Sequence, residues 1–425
     1  MANGSFGFPI ARDRPLALGE VHARPYPLIK SPRIILQLAF MTDGGASVDN
    51  AVLAALARTR GVAAPQADAR HYVLSWGTGS LRWERHTEFS TYFYEGPVPT
   101  QFGGEVTDHP FGDGFSPPGS LISGVRLEVR KWTDDTQKVL KSFDPASLCF
   151  SEVENGAAAA VTDFRQDKDG LTRILLLDRD LAPARVGALA QRLIEIETYR
   201  TLAMLALPLA NSLSPQMRRI EDGLTMVTQR MRKEVETESD SMLGEITALA
   251  AELEAGAASS LYRFGASRAY DGIVAERIAT LNENPIAGYE TWGAFLQRRM
   301  APAMRTCRSI EERQANLSRK LARATALLRS WVDLQLERQN SELLQSMNRR
   351  AKLQLRLQQT VEGLSVAAVS YYVVGLFGYL AKAANEAGLP ISPTLATGLS
   401  VPVIVLAIWG VVRRIRKRHG DKDEA

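Results

Sequence analysis

Two groups of ionisable residues have the types and spacing that could bind a metal ion. One group is Glu84, His86 and Glu88, and the other is Glu20, His22 and Arg24. Alternate side chains of a β-strand point to the same side, so the first group would share a face if residues 81–89 form a strand. Carboxylates and imidazoles suit a divalent cation, and Glu20 with His22 would complete four ligands if the two segments meet. The alternative is a cluster of ion pairs with arginines 24, 82 or 85, which would pack the N-terminal arm onto the sheet.

Familiar catalytic patterns are missing from the sequence. It contains no GxSxG, no P-loop and no HExxH, and neither cysteine has a histidine close to it in sequence. Cys149 and Cys307 lie far apart and form no CxxC pair, which is typical of a reducing compartment. We therefore expect that the protein is not an enzyme, and that a divalent cation is the one cofactor to consider.

Composition indicates a largely soluble chain. Of its 425 residues, 45% are apolar and 23% are charged, and the net charge is +4. The first 30 residues hold no apolar run that a secretion system would read, so we expect a cytoplasmic N-terminus. The basic residues concentrate at 413–418 and lack interleaved aromatic residues, which indicates membrane topology rather than nucleic-acid binding.

Two uncharged runs predict a transmembrane hairpin at 363–412. The first span is expected at about 363–381, which at about 1.5 Å per residue nearly crosses a hydrocarbon core of about 30 Å. The second is expected at about 395–412, after Pro390 and Pro393 in the connection. Arginines and lysines precede the first span and follow the second, so the positive-inside rule places both ends, including a basic tail at 413–425, in the cytoplasm.

One side of the first span carries small and hydroxyl-bearing residues. This stripe consists of Ser365, Ala368, Tyr372, Gly375 and Tyr379, which recur at three- and four-residue intervals, and Gly378 lies beside it. Small residues let helices pack closely in lipid. The same stripe could instead line a pore between copies of the chain, and the two interpretations are compatible.

The middle of the chain, 211–362, is expected to be long helices that form a stalk. No proline occurs between Pro302 and Pro390, so one helix can run into the first span. A 4-3 spacing of apolar residues, starting at Leu317 and Leu321, is typical of a coiled coil. Pro215 is expected to begin an earlier helix, and Gly256 to end it.

Residues 1–210 are expected to form a cytoplasmic α/β or α+β domain, and the sequence leaves the choice between these classes open. Its predicted strands are Ile34–Met41, His71–Trp76, Leu81–Tyr94, Ile122–Val129, Ala157–Phe164 and Leu171–Leu177. A helix at about Val48–Arg60 and further helices at Ala184–Leu207 complete it.

Several separate motifs resemble a bacterial membrane-anchored family that is named only as a domain of unknown function. They are Glu20-Val-His-Ala-Arg-Pro25, Trp83-Glu-Arg-His-Thr-Glu-Phe89, Glu197-Thr-Tyr-Arg200 with the residues up to Pro208, Phe264-Gly-Ala-Ser-Arg-Ala-Tyr270, and Gly363-Leu-Ser-Val with Tyr371-Tyr372. The resemblance covers essentially the whole chain. It implies a location in the bacterial inner membrane, in contact with lipid, and implies no activity.

The layout is also similar to that of CorA-type divalent-cation channels, which implies a CorA-like architecture and a homo-oligomer, with five copies as in those channels. The chain departs from them at the outer end of the first span, where it has Gly375-Leu-Phe-Gly378 in place of Gly-Met-Asn. Two functions are therefore expected: a homo-oligomeric cation channel or transporter, or a non-conducting membrane-tethered scaffold that binds a partner protein through its stalk.

Overall fold

The computed structural model describes residues 11–14, 18, 26–42, 44–133, 135–233, 235–387, 390 and 392–420. Within these ranges, strands β1 to β9 cover Arg33–Met41, His71–Trp76, Gly79–Arg85, Phe89–Gly96, Leu121–Lys131, Cys149–Val153, Ala158–Gln166, Thr172–Asp178 and Asn284–Pro285. Helices α1 to α8 cover Ala46–Thr59, Thr136–Leu140, Pro183–Met204, Ala206–Met231, Val235–Leu281, Trp292–Arg299, Ala301–Glu386 and Pro393–Gly420.

The strands form one sheet, in the order β2-β3-β4-β1-β5-β8-β7-β6-β9. Among the described strands, β5 and β8 pair in parallel, and the other neighbours are antiparallel. The chain is thus a mixed α/β protein that continues into a long helix and a C-terminal apolar helix.

Helices cover both faces of this sheet. On one face, Val125 and Leu127 of β5 and Leu189 of α3 are fully buried in one core cluster. On the other face, Leu53 of α1 packs in a second cluster with Trp83 of β3. Burying a side chain of this size contributes about 1.5–3 kcal/mol each, so these two contacts fix the position of α3 and α1 on the sheet.

Three predictions about element boundaries are wrong. The predicted strand Leu81–Tyr94 is two strands, β3 and β4, because the chain reverses between them and the amide of His86 donates to the carbonyl of Phe89. Gly256 does not end a helix, since α5 continues through it to Leu281. A Cβ at Gly256 would lie 3.3 Å from the side chain of Gln216, so this glycine instead permits close approach of α4.

Pro215 also lies inside a helix rather than at its beginning, because α4 starts at Ala206. One side of this helix is apolar. Met217, Ile220 and Val227 are buried there, since their spacing places them on one side of the helix.

The chain divides into two compact units. The first consists of Met1–Lys233 with Ser241–Ala326, and the second of Glu234–Asp240 with Leu327–Ala425. Helix α7 contributes residues to both units and is unbroken over its 86 residues, which confirms the prediction of one helix from near Pro302 into the first apolar run.

Two helices of the described chain, α7 and α8, are long and apolar enough to cross a membrane. They contain the runs predicted at 363–381 and 395–412. Within these two runs, few apolar side chains are covered: Leu364 is 75% exposed, and Leu399 is 71% exposed.

The carboxylate of Asp49 joins α1 to the sheet. Its Oδ1 accepts hydrogen bonds from Ser90 Oγ at 2.7 Å, Tyr92 Oη at 2.8 Å and Trp83 Nε1 at 3.3 Å. Burial, followed by this neighbouring carboxylate, raises the pKa of Tyr92, so its hydroxyl stays protonated and remains a donor. Three strand side chains therefore converge on one acceptor on the helix.

We expect Asp49→Ala to lower the free energy of unfolding by about 3 kcal/mol, because three buried donors lose their acceptor. Asp49→Asn keeps an oxygen acceptor in place and should lower it by roughly half as much. Denaturant unfolding of the purified full chain measures both. Equal losses for the two variants would contradict the assigned role of Asp49 as an acceptor.

Candidate functional site

Two of the predicted ionisable residues, Glu84 and His86, line a small polar cavity in the first unit. Strands β1, β3 and β4 form its floor, and α3 forms its roof, because residues 191, 195 and 198 share one side of that helix. Its volume is about 60 Å³, and its lining is Gln37, Arg82, Glu84, His86, Phe89, Thr91, Phe93, Gln191, Glu195, Thr198 and Tyr199.

This cavity has room for a few water molecules and not for a substrate, since small-molecule sites usually enclose about 300–1,000 Å³. Its polar groups bond to one another. Gln37 Nε2 donates to Thr198 Oγ1 at 3.0 Å, and Arg277 of α5 donates to Glu195 at 2.5 Å. The geometry is that of a hydrogen-bonded network between the sheet and two helices.

The three residues predicted to share one strand face lie in three different places. Glu84 is in β3, His86 is in the turn after it, and Glu88 directly precedes β4. Glu84 and His86 line the polar cavity, whereas Glu88 bonds to α5. Glu20, His22 and Arg24 lie outside the described residues, so the proposed meeting of the two groups stays a prediction.

Glu88 joins the turn before β4 to helix α5. Its carboxylate accepts two hydrogen bonds from the guanidinium of Arg263, at 2.6 and 3.2 Å, and one from Tyr270 Oη at 2.6 Å. The Glu88 side chain is 8% exposed, so solvent weakens this paired arrangement little. Burial, followed by the hydrogen bond to Glu88, raises the pKa of Tyr270.

Aromatic rings pack beside this ion pair. Phe89 contacts Tyr199 and Tyr270 edge to face, with ring centroids 6.2 and 6.4 Å apart, and the two tyrosines stack at 5.5 Å. The ring of His86 stacks on Phe89 at 4.2 Å. Three of the motifs quoted above, from β3–β4, α3 and α5, thus meet at one place.

Sequence reasoning missed the partner of Glu88. The ion-pair alternative named arginines 24, 82 and 85, whereas the structure pairs Glu88 with Arg263, far along the chain. The available signal was the spacing of Arg263 and Tyr270, which are seven residues apart and therefore share one side of a helix.

No metal site is formed by the described side chains, since no three histidine, cysteine, aspartate or glutamate residues among them are grouped to hold an ion. Both cysteines are buried. Burial, ahead of nearby Glu290, raises the pKa of Cys149 to about 12, and burial also raises that of Cys307. Neither thiol is therefore suited to act as a nucleophile near neutral pH.

In the second unit, one side of α7 packs against α8. Ser370 and Ala381 are buried there, and a Cβ at Gly378 would lie 3.5 Å from the side chain of Thr397 in α8. Gly378, which lies beside the stripe in sequence, thus belongs to the contact between these two helices.

The stripe itself lies on the other side of α7. Helical residues advance by about 100°, which places Tyr372 about half a turn from Ser370 and Ala381. Ser365, Ala368 and Gly375 are exposed, and Tyr372 and Tyr379 are 76% and 77% exposed. Helix α8 is therefore not the neighbour that the stripe was predicted to contact.

We expect Glu88 and Arg263 to contribute jointly to stability. In a double-mutant cycle with Glu88→Gln and Arg263→Met, the coupling energy should be about 1–3 kcal/mol, because either change alone leaves a charged group partly buried and unpaired. Tyr270→Phe, which removes one hydroxyl, is the milder comparison. The pairing would be contradicted if the losses of unfolding free energy in the two single variants add up, within about 0.5 kcal/mol, to the loss in the double variant.

Comparison with known protein families gives one match that covers nearly the whole chain. Residues 11–419 match the family described as "Protein of unknown function (DUF3422)", and the chain belongs to this family. No protein with a curated description matches the chain.

Proposed function

We propose that this member of the DUF3422 family is a homo-oligomeric protein of the bacterial inner membrane that conducts a cation between copies of α7. One observation carries the proposal: a surface of α7 that extends from Leu336 to Tyr379 and remains exposed. The chain is similar in layout to CorA-type channels, with a mixed α/β unit followed by a long helix, a second apolar helix and a basic tail. This layout supports a CorA-like architecture with both termini cytoplasmic.

The exposed surface follows one line along the helix. We call its first part the seam, and it consists of Leu336, Asn340, Leu343, Met347, Arg350, Gln354, Leu357 and Val361, after which the stripe continues from Ser365. These residues recur every three or four positions, which keeps them on one side of an α-helix and is the spacing of a coiled coil. Leu343 and Leu357 are 61% and 67% exposed.

A second copy of the chain is the neighbour that best fits this line. Helices in proteins gain most of their stability by packing an apolar side, so an exposed seam favours association. Two copies of α7 in the same membrane would run parallel, and their identical seams would lie at the same distance from the membrane surface. Identical surfaces of this kind favour closed symmetric oligomers.

The opposite side of α7 has a different character. Lys352 and Arg356 lie about half a turn from the seam, on the side of α7 where Ser370 is buried. With the seam inside an oligomer, these cations would face outward, where anionic lipid head groups attract them. Arg350 is the exception, because it lies in the seam.

The width of the apolar surface favours more than two copies. Leu344, Leu353 and Leu355 flank the seam and are 65%, 58% and 59% exposed. A dimer needs only a narrow seam, whereas a helix with a neighbour on each side needs the flanks as well. Five copies, as in CorA-type channels, would satisfy this.

The stripe supplies the groups for an ion path. Hydroxyls of Ser365, Tyr372 and Tyr379 can contact a hydrated ion, and Gly375 leaves room at the axis. Lys382 and the absence of Gly-Met-Asn argue against CorA-type magnesium selectivity. The proposal therefore concerns cation conduction in general.

We expect the chain in mild detergent or nanodiscs to have a mass of at least three copies, with five expected from the channel layout. Met347→Cys, in the seam, should form disulfides between copies on oxidation, because identical residues meet there. Gln345→Cys, on the opposite side, is the matched control. Both native cysteines are buried, so the background is low. A monomer or dimer in these media would overturn the proposal.

We expect Gly375→Leu to reduce cation flux into reconstituted liposomes to the level of empty vesicles, because an apolar side chain at the axis excludes hydrated ions. Potassium and magnesium gradients with fluorescent indicators provide the measurement. Leu406→Phe adds bulk to an exposed position of α8, about half a turn from Thr397, and should leave flux and mass unchanged. Absence of flux with the original chain would contradict conduction.

The same surface also supports the second candidate function, a membrane-tethered scaffold, because a partner helix could cover Leu344 and Leu355. A photo-crosslinking residue at Leu344 distinguishes the two in native membranes. Adducts at multiples of the chain mass favour the oligomer. Adducts of one other constant mass favour the scaffold.

A further inference from the structure

A second and much larger cavity lies in the first unit, on the sheet face that α1 partly covers. Its volume is about 550 Å³, within the usual range of small-molecule sites. Leu36, Leu38 and Phe40 of β1 form its floor, and Phe111 and Phe115 from the segment between β4 and β5 form a wall. This interior is apolar, so a ligand with an apolar body fits it.

One buried cation lines this cavity. Arg126 of β5 is 4% exposed. Its Nε and Nη2 donate to Glu128 Oε1 at 3.1 and 2.9 Å, and Nη2 also donates to the carbonyl of Gly104. Its Nη1 donates to no described residue. This nitrogen is therefore available to donate to a group that enters through the cavity.

The charge balance behind the cavity points to an anion. Arg130 shares the carboxylate of Glu128 with Arg126, at 2.7 Å. Glu128 is fully buried, and one carboxylate between two guanidinium groups leaves one positive charge. Glu105, Lys168 and Asp169 are all exposed at the cavity edge, where solvent screens their charges. A buried excess charge favours a ligand of opposite sign.

We propose that this cavity binds a small amphipathic acid, whose carboxylate accepts hydrogen bonds from Arg126 Nη1 while its apolar body rests on Leu36, Phe40 and Phe115. This ligand site is separate from the proposed ion path. A neutral lipid would leave Nη1 without an anion, inorganic phosphate would leave the apolar floor unused, and a metal cation would meet the excess positive charge.

His109 adds a second donor to the wall. Its Nδ1 accepts a hydrogen bond from the amide of Phe111 at 3.2 Å, so the neutral ring carries its proton on Nε2. Burial lowers the pKa of His109, which keeps the ring neutral near pH 7. The wall therefore offers an N–H group without adding charge.

The test compares 2-naphthylacetate with its neutral amide, 2-naphthylacetamide, by titration calorimetry on the full chain in nanodiscs, with empty nanodiscs subtracted. The two probes share size and apolar body and differ in charge. We expect the acid to bind at least about tenfold more tightly than the amide, because hydrogen bonds between the Arg126 guanidinium and a carboxylate are stronger than those to a neutral amide oxygen. Equal affinities, or no saturable binding of either probe, would overturn the proposal.

Three variants test where the acid binds and what it binds to. Leu171→Trp fills the cavity from its edge and should abolish binding of the acid, whereas Val73→Trp adds the same bulk to an exposed position of β2 and should not. Arg126→Lys keeps a positive charge but loses the planar guanidinium and its Nη1 donor. This variant should lose most of the preference for 2-naphthylacetate over 2-naphthylacetamide. Unchanged acid binding in Leu171→Trp, with an unchanged unfolding midpoint, would place the site elsewhere and overturn the proposal.

Discussion

One unbroken helix, α7, carries three kinds of surface in succession, and the rest of the second unit depends on that constraint. The N-terminal third of α7 contains the buried residues Leu317, Leu321 and Leu328. Its middle carries exposed leucines, and an uncharged apolar run follows them. Backbone hydrogen bonds are satisfied within a helix in water, protein or lipid alike, so no break is needed between these environments. What changes along α7 is only which side chains need a partner.

In the first unit, the corresponding constraint is the carboxylate of Glu88. It sits where the chain reverses between β3 and β4, and it accepts hydrogen bonds from two residues of α5. The pairing is bidentate and mostly buried, so it fixes the direction of approach as well as the distance. The neighbouring rings of Phe89, Tyr199 and Tyr270 then pack against one another. The polar cavity beside them is small because these contacts already fill most of the space.

Sequence reasoning succeeded where the signal is local. The continuous helix followed from the absence of proline between positions 302 and 390, and the two apolar helices followed from runs without charge. It failed where a partner is distant in sequence. No pattern near Glu88 points to Arg263, and nothing near Gly256 reveals that Gln216 packs against it. The 550 Å³ cavity was also out of reach, because the segment that encloses it has no periodicity and lies over a strand from a different part of the chain.

The line of exposed residues on α7 has a consequence for the geometry of an assembly. From Leu336 to Val361 the steps alternate between four and three residues, but the step from Val361 to Ser365 is again four, before the alternation resumes. An extra four-residue step in a heptad pattern is a stutter, which locally unwinds a left-handed supercoil. Around the entry to the apolar run, adjacent copies of α7 would therefore straighten and run nearly parallel to their common axis. Such a bundle would coil in its aqueous part and become a straight-sided cylinder where the apolar run begins.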